Sequence, residues 1–213
     1  MYFRLIIFYL LILMSCSQNN ESSSSSAVPL RSEIDAKYKW DLTAVYETDA
    51  AWELDLEELK KLYPKMGDYK GKLLSNPETL LESILLSEKI NQYFGKLYHY
   101  ASNSLNADLT NEKYQEMVQR VRNVAIKSGE VTAYYSPEML KSDYSILEDF
   151  MNREPKLRLY EKDFKDMYIA KPHILSEKEE RILTMAGKLS GVPNEAYDIM
   201  RATDFKWGTF EDE

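Results

Sequence analysis

This sequence holds few of the residues that turn a chain sharply or that most often carry out catalysis. Seven glycines and seven prolines in 213 residues are too few for the many tight turns of an all-β domain. One cysteine excludes an internal disulfide bond. The two histidines, His99 and His173, are too far apart to form an H-E-x-x-H zinc-binding helix. Because a G-x-S-x-G elbow and a glycine-rich phosphate loop are also absent, we predict no catalytic residue and no metal ligand in this chain.

Positive charge is in short supply as well. The chain contains 27 Lys and Arg residues and 35 Asp and Glu residues, which gives a formal net charge of −8. Such a surface repels a phosphate backbone. The densest basic stretch, residues 119–127, spaces Arg120 and Arg122 around a predicted helix and is typical of a solvated face. We therefore expect no nucleic-acid partner.

The longest apolar run lies near the N-terminus and is short. Arg4 precedes a run of about ten apolar residues, 5–14, which suits the core of a signal peptide and not a membrane-spanning helix. Ser15 and Cys16 follow, and "LMSC" resembles the lipobox of bacterial lipoproteins, whose cysteine is lipidated. We predict that residues 1–15 are a signal peptide and that Cys16 is the site of lipid attachment. A plain secretory signal with a chance cysteine is the alternative.

A polar tract connects this signal to the rest of the chain. Residues 16–30 are rich in serine, and such a composition is typical of a flexible tether because it cannot bury apolar surface. Ser17, and not an aspartate, follows Cys16, which resembles outer-membrane sorting. We expect a protein of the bacterial cell envelope, held at the outer membrane through its N-terminal lipid.

Helical periodicity extends over residues 31–204. Hydrophobic residues make up 44% of the chain, enough for a core, and they recur every three or four positions. The N-cap candidates are Asp49, Asn76 and Thr110. The pattern predicts an all-α domain of antiparallel helical hairpins, with helices near residues 50–64, 77–105, 111–136, 143–153, 156–170, 177–189 and 194–202. The third is expected to end at Ser136-Pro137, because proline disfavours a helical residue before it.

The last residues carry a different pattern. Phe205, Trp207 and Phe210 resemble the start of a strand. A strand needs neighbours to pair its backbone, and none follows in this sequence. We expect residues 205–213 to be the truncated start of the next structural unit.

His173 lies four residues before Glu177, as half of a helical metal site would require. Pro172 precedes the histidine, however, and Ser176 with Glu179 matches a capping box. We therefore predict that the helix begins after Ser176 and that His173 lies in the preceding loop.

Tyrosine is unusually abundant, with 16 residues. On the long second helix, Tyr93, Tyr98 and Tyr100 lie on two neighbouring stripes. Such stripes are most often core. The functional alternative is a groove wall that contacts peptides, since tyrosine offers apolar area and a hydroxyl.

Four stretches together resemble the N-terminal region of oligoendopeptidase F, a family of thimet-oligopeptidase-like zinc metallopeptidases. They are residues 38–59, 94–115, 136–140 and 171–183. The resemblance implies N-terminal helices that cover a deep channel for short peptides. It also implies a C-terminal catalytic part that holds zinc on an H-E-x-x-H helix and a downstream glutamate, and none of those residues has a counterpart here. The intact enzyme is thus expected to use zinc, and this chain to bind none.

The resemblance and the predicted lipid attachment together favour one interpretation, that this chain is the channel-covering N-terminal portion of a membrane-anchored oligopeptidase. Its expected partners are oligopeptides and a separate or missing catalytic domain. The lipoprotein signal departs from the family, which is usually cytoplasmic, and suggests imported or extracellular peptides as substrates. The alternative is a stand-alone helical lipoprotein that binds peptides or a protein partner through its tyrosine-lined helices.

Overall fold

A computed structural model describes residues 33–205, apart from the side chains at positions 188, 202 and 203. The chain divides into two compact units, Met1–Asp41 and Leu42–Glu213. In the described part of the first unit, Asp35 caps the 3-10 turn Ala36–Tyr38 by accepting a hydrogen bond from the Lys37 N–H. The predicted signal peptide, Cys16, the tether up to residue 30, Trp207 and Phe210 lie outside the described residues.

The described part of the second unit is helical, and no strand occurs in residues 33–205. This confirms the all-α prediction, whereas the predicted C-terminal strand is not shown. None of the helices in that range is both long and apolar enough to cross a membrane. The α-helices, in chain order, are α1 Asp49–Leu62, α2 Pro77–Ala107, α3 Glu112–Thr132, α4 Tyr135–Met139, α5 Tyr144–Arg153, α6 Glu161–Ala170, α7 Glu177–Ser190 and α8 Val192–Thr203.

The long helix α2 organises the unit. Asn76 caps it by accepting a hydrogen bond of 2.8 Å from the Thr79 N–H, and Pro77 occupies the first turn, as predicted. The short connection of residues 108–111 leads from α2 into α3, and the two helices pack against each other. Short 3-10 segments, Tyr63–Tyr69 and Pro155–Tyr160, connect other helices.

The first core cluster joins the C-terminal half of α2 to α1 and α3. Trp52, Leu56 and Leu59 recur at helical spacing on α1 and are fully buried. The indole N–H of Trp52 donates a hydrogen bond of 2.9 Å to the Leu97 carbonyl. The buried members of this cluster are Tyr46, Trp52, Leu56, Leu59, Leu62, Met66, Ile90, Leu97, Tyr100, Ala101, Met117, Val118, Val121 and Val124.

The second core cluster joins the N-terminal half of α2 to α5, α6 and the segments between them. Since α2 supplies residues to both clusters, it fixes the position of one relative to the other. The buried members are Leu73, Leu80, Leu81, Ile84, Tyr134, Met139, Leu147, Phe150, Met151, Leu157 and Phe164.

Two predicted N-caps are displaced by one position. Thr48, and not Asp49, caps α1 by accepting from the Ala51 N–H, which leaves the Asp49 carboxylate to contact other helices. Asn111, and not Thr110, caps α3, because the Thr110 hydroxyl and N–H donate to Asp108. In both places two adjacent residues could cap. Distant contacts engage Asp49, whereas the local bonds to Asp108 engage Thr110.

The predicted end of the third helix is also wrong. Helix α3 ends at Thr132, and Ser136 and Pro137 lie inside the short helix α4. Proline is tolerated there because the first-turn N–H groups have no partner within the helix. The break comes earlier because Tyr134 is buried, and its hydroxyl donates to the Met66 carbonyl.

Glu138 of α4 holds the loop before α2 in place. Its carboxylate accepts hydrogen bonds from the N–H groups of Gly71, at 2.7 Å, and Leu73, at 2.9 Å. Gly71 has φ of +77°, a conformation that glycine adopts without steric cost. The turn and its acceptor thus fix how the chain enters α2.

Candidate functional site

His173 lies in the 3-10 turn Lys171–His173, outside α7. The predicted capping box is present: the Glu179 N–H donates to Ser176 Oγ at 3.4 Å, and the Ser176 N–H donates to the Glu179 carboxylate at 2.9 Å. The hydrogen bonds from Ser176 lower the pKa of the Glu179 carboxyl. Glu177 pairs with Lys70. Ser176, Glu177 and Glu179 therefore each have a structural role at this helix start.

His99 lies on the exposed side of α2, with its ring 6.3 Å from the Tyr98 ring. Across the described positions, 33–205, no three His, Cys, Asp or Glu side chains lie close enough together to share a metal ion.

Of the three tyrosines that were candidates for either the core or a peptide-contacting groove, Tyr100 lies in the core. It is 8% exposed and packs edge-on against Tyr46, with 5.4 Å between ring centroids. Its hydroxyl donates to the Asp49 carboxylate at 2.8 Å. Burial raises the pKa of Tyr100, and the hydrogen bond and charge of Asp49 raise it further. For this residue the core alternative holds, because a peptide could not reach the ring without opening the first core cluster.

Tyr93 and Tyr98 lie at the edge of the same cluster. Both are half-buried, and Tyr98 stacks on Phe94 with 6.2 Å between ring centroids. Contact with peptides stays a prediction for these two residues.

The structure contains a cleft that the sequence did not indicate. It has a volume of about 450 Å³ and lies where α2, α3, α4 and α6 meet. Apolar side chains form part of its lining: Met66, Ile84, Ile90, Tyr135, Phe164 and Met167. Tyr135 packs against both core clusters, so the cleft lies at their junction.

Two carboxylates, Glu88 and Asp163, give this cleft its charge. The Tyr160 hydroxyl donates to Glu88 at 2.9 Å; burial first, and then this bond, raise the pKa of Tyr160. No lysine or arginine is among the lining residues of this cleft. Lys162 and Lys165, which flank Asp163 on α6, pair instead with Asp166 and Glu161.

A second candidate surface covers α7 and α8. Among the side chains that are described in these two helices, none is buried. Large apolar side chains are exposed there by 48 to 75%: Ile182, Leu183, Met185, Leu189, Val192, Tyr197 and Met200. We call this group the α7–α8 apolar surface. Monomeric soluble proteins rarely expose so many neighbouring apolar side chains, and such patches mark interaction sites.

The contacts that attach α7 and α8 to the rest of the unit are mainly polar or small. Lys70 pairs with Glu177 of α7, and Arg122 of α3 pairs with Glu195 of α8. Gly129 of α3 lies against Thr184 so closely that a Cβ at position 129 would lie 2.6 Å from the Thr184 methyl. The large apolar side chains of the α7–α8 apolar surface therefore remain exposed.

Neither candidate surface follows from local sequence patterns. Glu88 lies more than 70 positions before Tyr160 and Asp163 in the sequence, and only long-range packing brings the three residues together. The apolar periodicity of α7 was visible in the sequence, but that periodicity predicts burial and does not distinguish a core from an unoccupied interface.

Comparison with known proteins shows a consistent family. The N-terminal peptidase M3 family model, described as Oligopeptidase F, matches residues 138–207. The Oligopeptidase PepF of Bacillus subtilis is 30% identical over 186 residues, which cover 87% of this chain and 28% of that protein. The plasmid-encoded Oligoendopeptidase F of Lactococcus lactis subsp. cremoris is 36% identical over 177 residues, covering 83% and 30% respectively.

The fold has a counterpart among solved structures. The crystal structure of oligoendopeptidase-F from Enterococcus faecium superposes with a TM-score of 0.70 at 21% identity, over 76% of this chain and 32% of that one. Measured against the curated relatives, this chain spans about three-tenths of their length. The chain therefore belongs to the oligoendopeptidase F family and corresponds to the N-terminal region of that family.

Proposed function

We propose that this chain is the N-terminal, channel-covering portion of a zinc-dependent oligopeptidase that is anchored to the cell envelope. In this proposal, a catalytic part corresponding to the remaining length of the relatives hydrolyses oligopeptides. The helices described here restrict access so that short peptides enter and folded proteins do not. Cys16 carries the lipid anchor.

The observation that carries the proposal is the α7–α8 apolar surface. Its side chains recur at the spacing of a buried helix face, yet they are exposed in the chain alone. The relatives are more than three times as long as the segment they share with this chain. A packing partner from the rest of an oligopeptidase explains why apolar residues face outward here.

The distribution of metal-ligating residues supports assigning the zinc to that partner. Catalytic zinc sites hold the metal through three protein ligands. Within residues 33–205, no cluster of that composition exists. The proposal therefore places the zinc, and the activation of water that it supplies, outside the described residues.

Assembly from two polypeptides tests the proposal. The chain is mixed with the catalytic part of the Bacillus subtilis relative, expressed without its own N-terminal region. That N-terminal region, added back separately, serves as the positive control. We expect the two polypeptides to coelute and to cleave a fluorogenic oligopeptide only together, in a chelator-sensitive reaction. The proposal is wrong if the positive control assembles and this chain does not.

A pair of surface variants locates the interface in the same assay. Leu183→Glu, on α7, places a charge on the α7–α8 apolar surface and is expected to prevent coelution. Leu54→Glu is the matched control, because Leu54 is 74% exposed on the separate helix α1. Equal loss of assembly in both variants would contradict the assignment of the surface.

A separate test addresses the anchor. Cells producing the chain are labelled with radioactive palmitate, and the Cys16→Ser variant is compared with the parent. We expect lipid label and membrane fractionation for the parent only. Label retained in the variant would contradict Cys16 as the attachment site.

A further inference from the structure

We propose that the cleft between α2, α3 and α6 is a binding site for a short basic peptide segment, in which an apolar side chain is followed by a lysine. The site is formed by this chain alone, so the inference does not rest on the proposed function.

The dimensions and the lining of the cleft suit such a segment. Its volume of about 450 Å³ lies in the range of small-ligand sites, which are mostly apolar with a few polar groups. Met167 is half-buried and offers an adaptable apolar contact, since methionine side chains adjust to different shapes. Met66 and Phe164 also line the cleft but are only 1% and 4% exposed. Phe164 is buried and fixed by the second core cluster, so one side of the cleft is rigid.

The charge of the cleft selects a cation. Glu88 and Asp163 both line it, and no lysine or arginine does. The two lysines beside Asp163 on α6, Lys162 and Lys165, are each held by another carboxylate one helical turn away. A lysine ammonium placed between Glu88 and Asp163 would meet two carboxylates without a competing cation from the lining. This arrangement favours basic over acidic peptides.

Hydroxyl and amide groups supply partners for a peptide backbone. Asn91, Ser87 and Ser136 line the cleft beside the carboxylates. Thr132 donates its hydroxyl hydrogen to the Ser128 carbonyl at 3.0 Å, which leaves its oxygen as an acceptor. Together these groups can both donate to and accept from an extended peptide.

Titration calorimetry on the full chain tests the proposal with N-acetyl-Phe-Lys-amide as the probe. We expect saturable binding at one site and at least about tenfold weaker binding of N-acetyl-Phe-Glu-amide. Glu88→Gln and Asp163→Asn are each expected to weaken binding of the lysine probe about fivefold. Glu82→Gln, on the same helix but outside the cleft lining, is the matched control and should leave affinity unchanged.

The Glu88→Gln variant keeps an oxygen that can accept a hydrogen bond from the Tyr160 hydroxyl, so we expect the fold to persist. Circular dichroism checks this. A probe with benzoylphenylalanine in place of phenylalanine gives an independent readout in the unmodified chain. Cross-links at Met167 support the site. The proposal is overturned by absence of saturable binding, by unchanged affinity in the double variant Glu88→Gln/Asp163→Asn, or by cross-links confined to other surfaces.

Discussion

Trp52 connects three helices within the first core cluster. It is completely buried on α1, its indole N–H reaches the Leu97 carbonyl of α2, and the Arg120 guanidinium of α3 lies 5.3 Å from its ring. One side chain thus contacts three helices. Arg120 is itself held by Glu53, whose carboxylate accepts from both of its terminal nitrogens, a paired arrangement that fixes the guanidinium plane.

Replacing this indole tests its contribution. Trp52→Phe removes the hydrogen bond and leaves a small cavity, so we expect the free energy of unfolding to fall by about 2 kcal/mol. Urea denaturation monitored by circular dichroism measures the change. Trp40→Phe is the matched control, because Trp40 is 67% exposed, and it should change stability by less than about 0.5 kcal/mol. Equal effects in the two variants would refute a special role for Trp52.

Asp49 connects the beginning of α1 to α2 and α3. Tyr100 and Lys113 both donate to its carboxylate. Burial alone would raise the pKa of Asp49, but these two hydrogen bonds outweigh it and hold the pKa below the ordinary value of 3.8. A depressed folded-state pKa means that the ionised carboxylate stabilises the fold. That contribution is present above pH 3.8 and is lost as the pH falls below it.

Asp49→Asn should therefore have a pH-dependent effect. At pH 7 we expect the unfolding free energy to drop by about 1 kcal/mol, since the asparagine keeps an acceptor for Tyr100 but loses the charge that pairs with Lys113. The difference from the parent should shrink as the pH is lowered below 3.8. Denaturation series across this range measure it. Asp149→Asn, which alters an exposed pair with Arg153, is the control, and a pH-independent penalty for Asp49→Asn would contradict the account.

At the scale of whole elements, α7 is, together with α8, one of the two helices held least by apolar burial. None of its described side chains is buried, and its start depends on the capping box of Ser176 and Glu179. A helix with few buried contacts opens locally before the whole domain unfolds. We therefore expect loss of the cap to lower the local stability of α7 more than the stability of the core.

Ser176→Ala tests this dependence. Loss of the cap should speed hydrogen exchange of the α7 backbone amides about fivefold, with little change in α2. Exchange followed by mass spectrometry resolves the two helices. Ser190→Ala, at the other end of α7, removes only a bond to the Gly187 carbonyl and should have a smaller effect. Uniformly faster exchange in α2 and α7 would show that α7 is part of the global folding unit instead.

The helices were the part of this structure that sequence patterns could predict. Apolar periodicity on α1 and α2, Asn76 with Pro77, and the Ser176 capping box each depend on neighbours within a few residues, and each was confirmed. The errors at Asp49 and Thr110 arose where two adjacent residues could cap: Asp49 is engaged by the distant residues Tyr100 and Lys113, and Thr110 by the nearby Asp108. The break after Thr132 follows from burial of Tyr134 beneath Met66, a contact between residues far apart in the sequence.

The candidate sites depend on distant contacts even more strongly. For Tyr93, Tyr98 and Tyr100 of α2 the sequence favoured a core position, with a peptide-contacting groove wall as the alternative. Tyr100 is buried because Tyr46 and Asp49, from outside α2, pack around it. Glu88 and Asp163 lie on separate helices, 75 positions apart in the sequence. Only the packing of α6 against α2 brings them to one cleft.

At the scale of the molecule, the described helices combine two buried core clusters with one apolar surface that is exposed. Both core clusters are well buried, whereas the α7–α8 apolar surface is exposed. The proposed packing partner for that surface is the catalytic part of an oligopeptidase. In that account this chain contributes the walls around the peptide, and the chemistry belongs to its partner.

The most direct test is the zinc content and peptidase activity of the purified full chain by itself. Mass spectrometry of the metal and a fluorogenic oligopeptide assay, each with and without added zinc and a chelator, measure both properties. The account predicts no stoichiometric zinc and no cleavage until a catalytic part is supplied. Zinc-dependent, chelator-sensitive cleavage by the chain alone would contradict it.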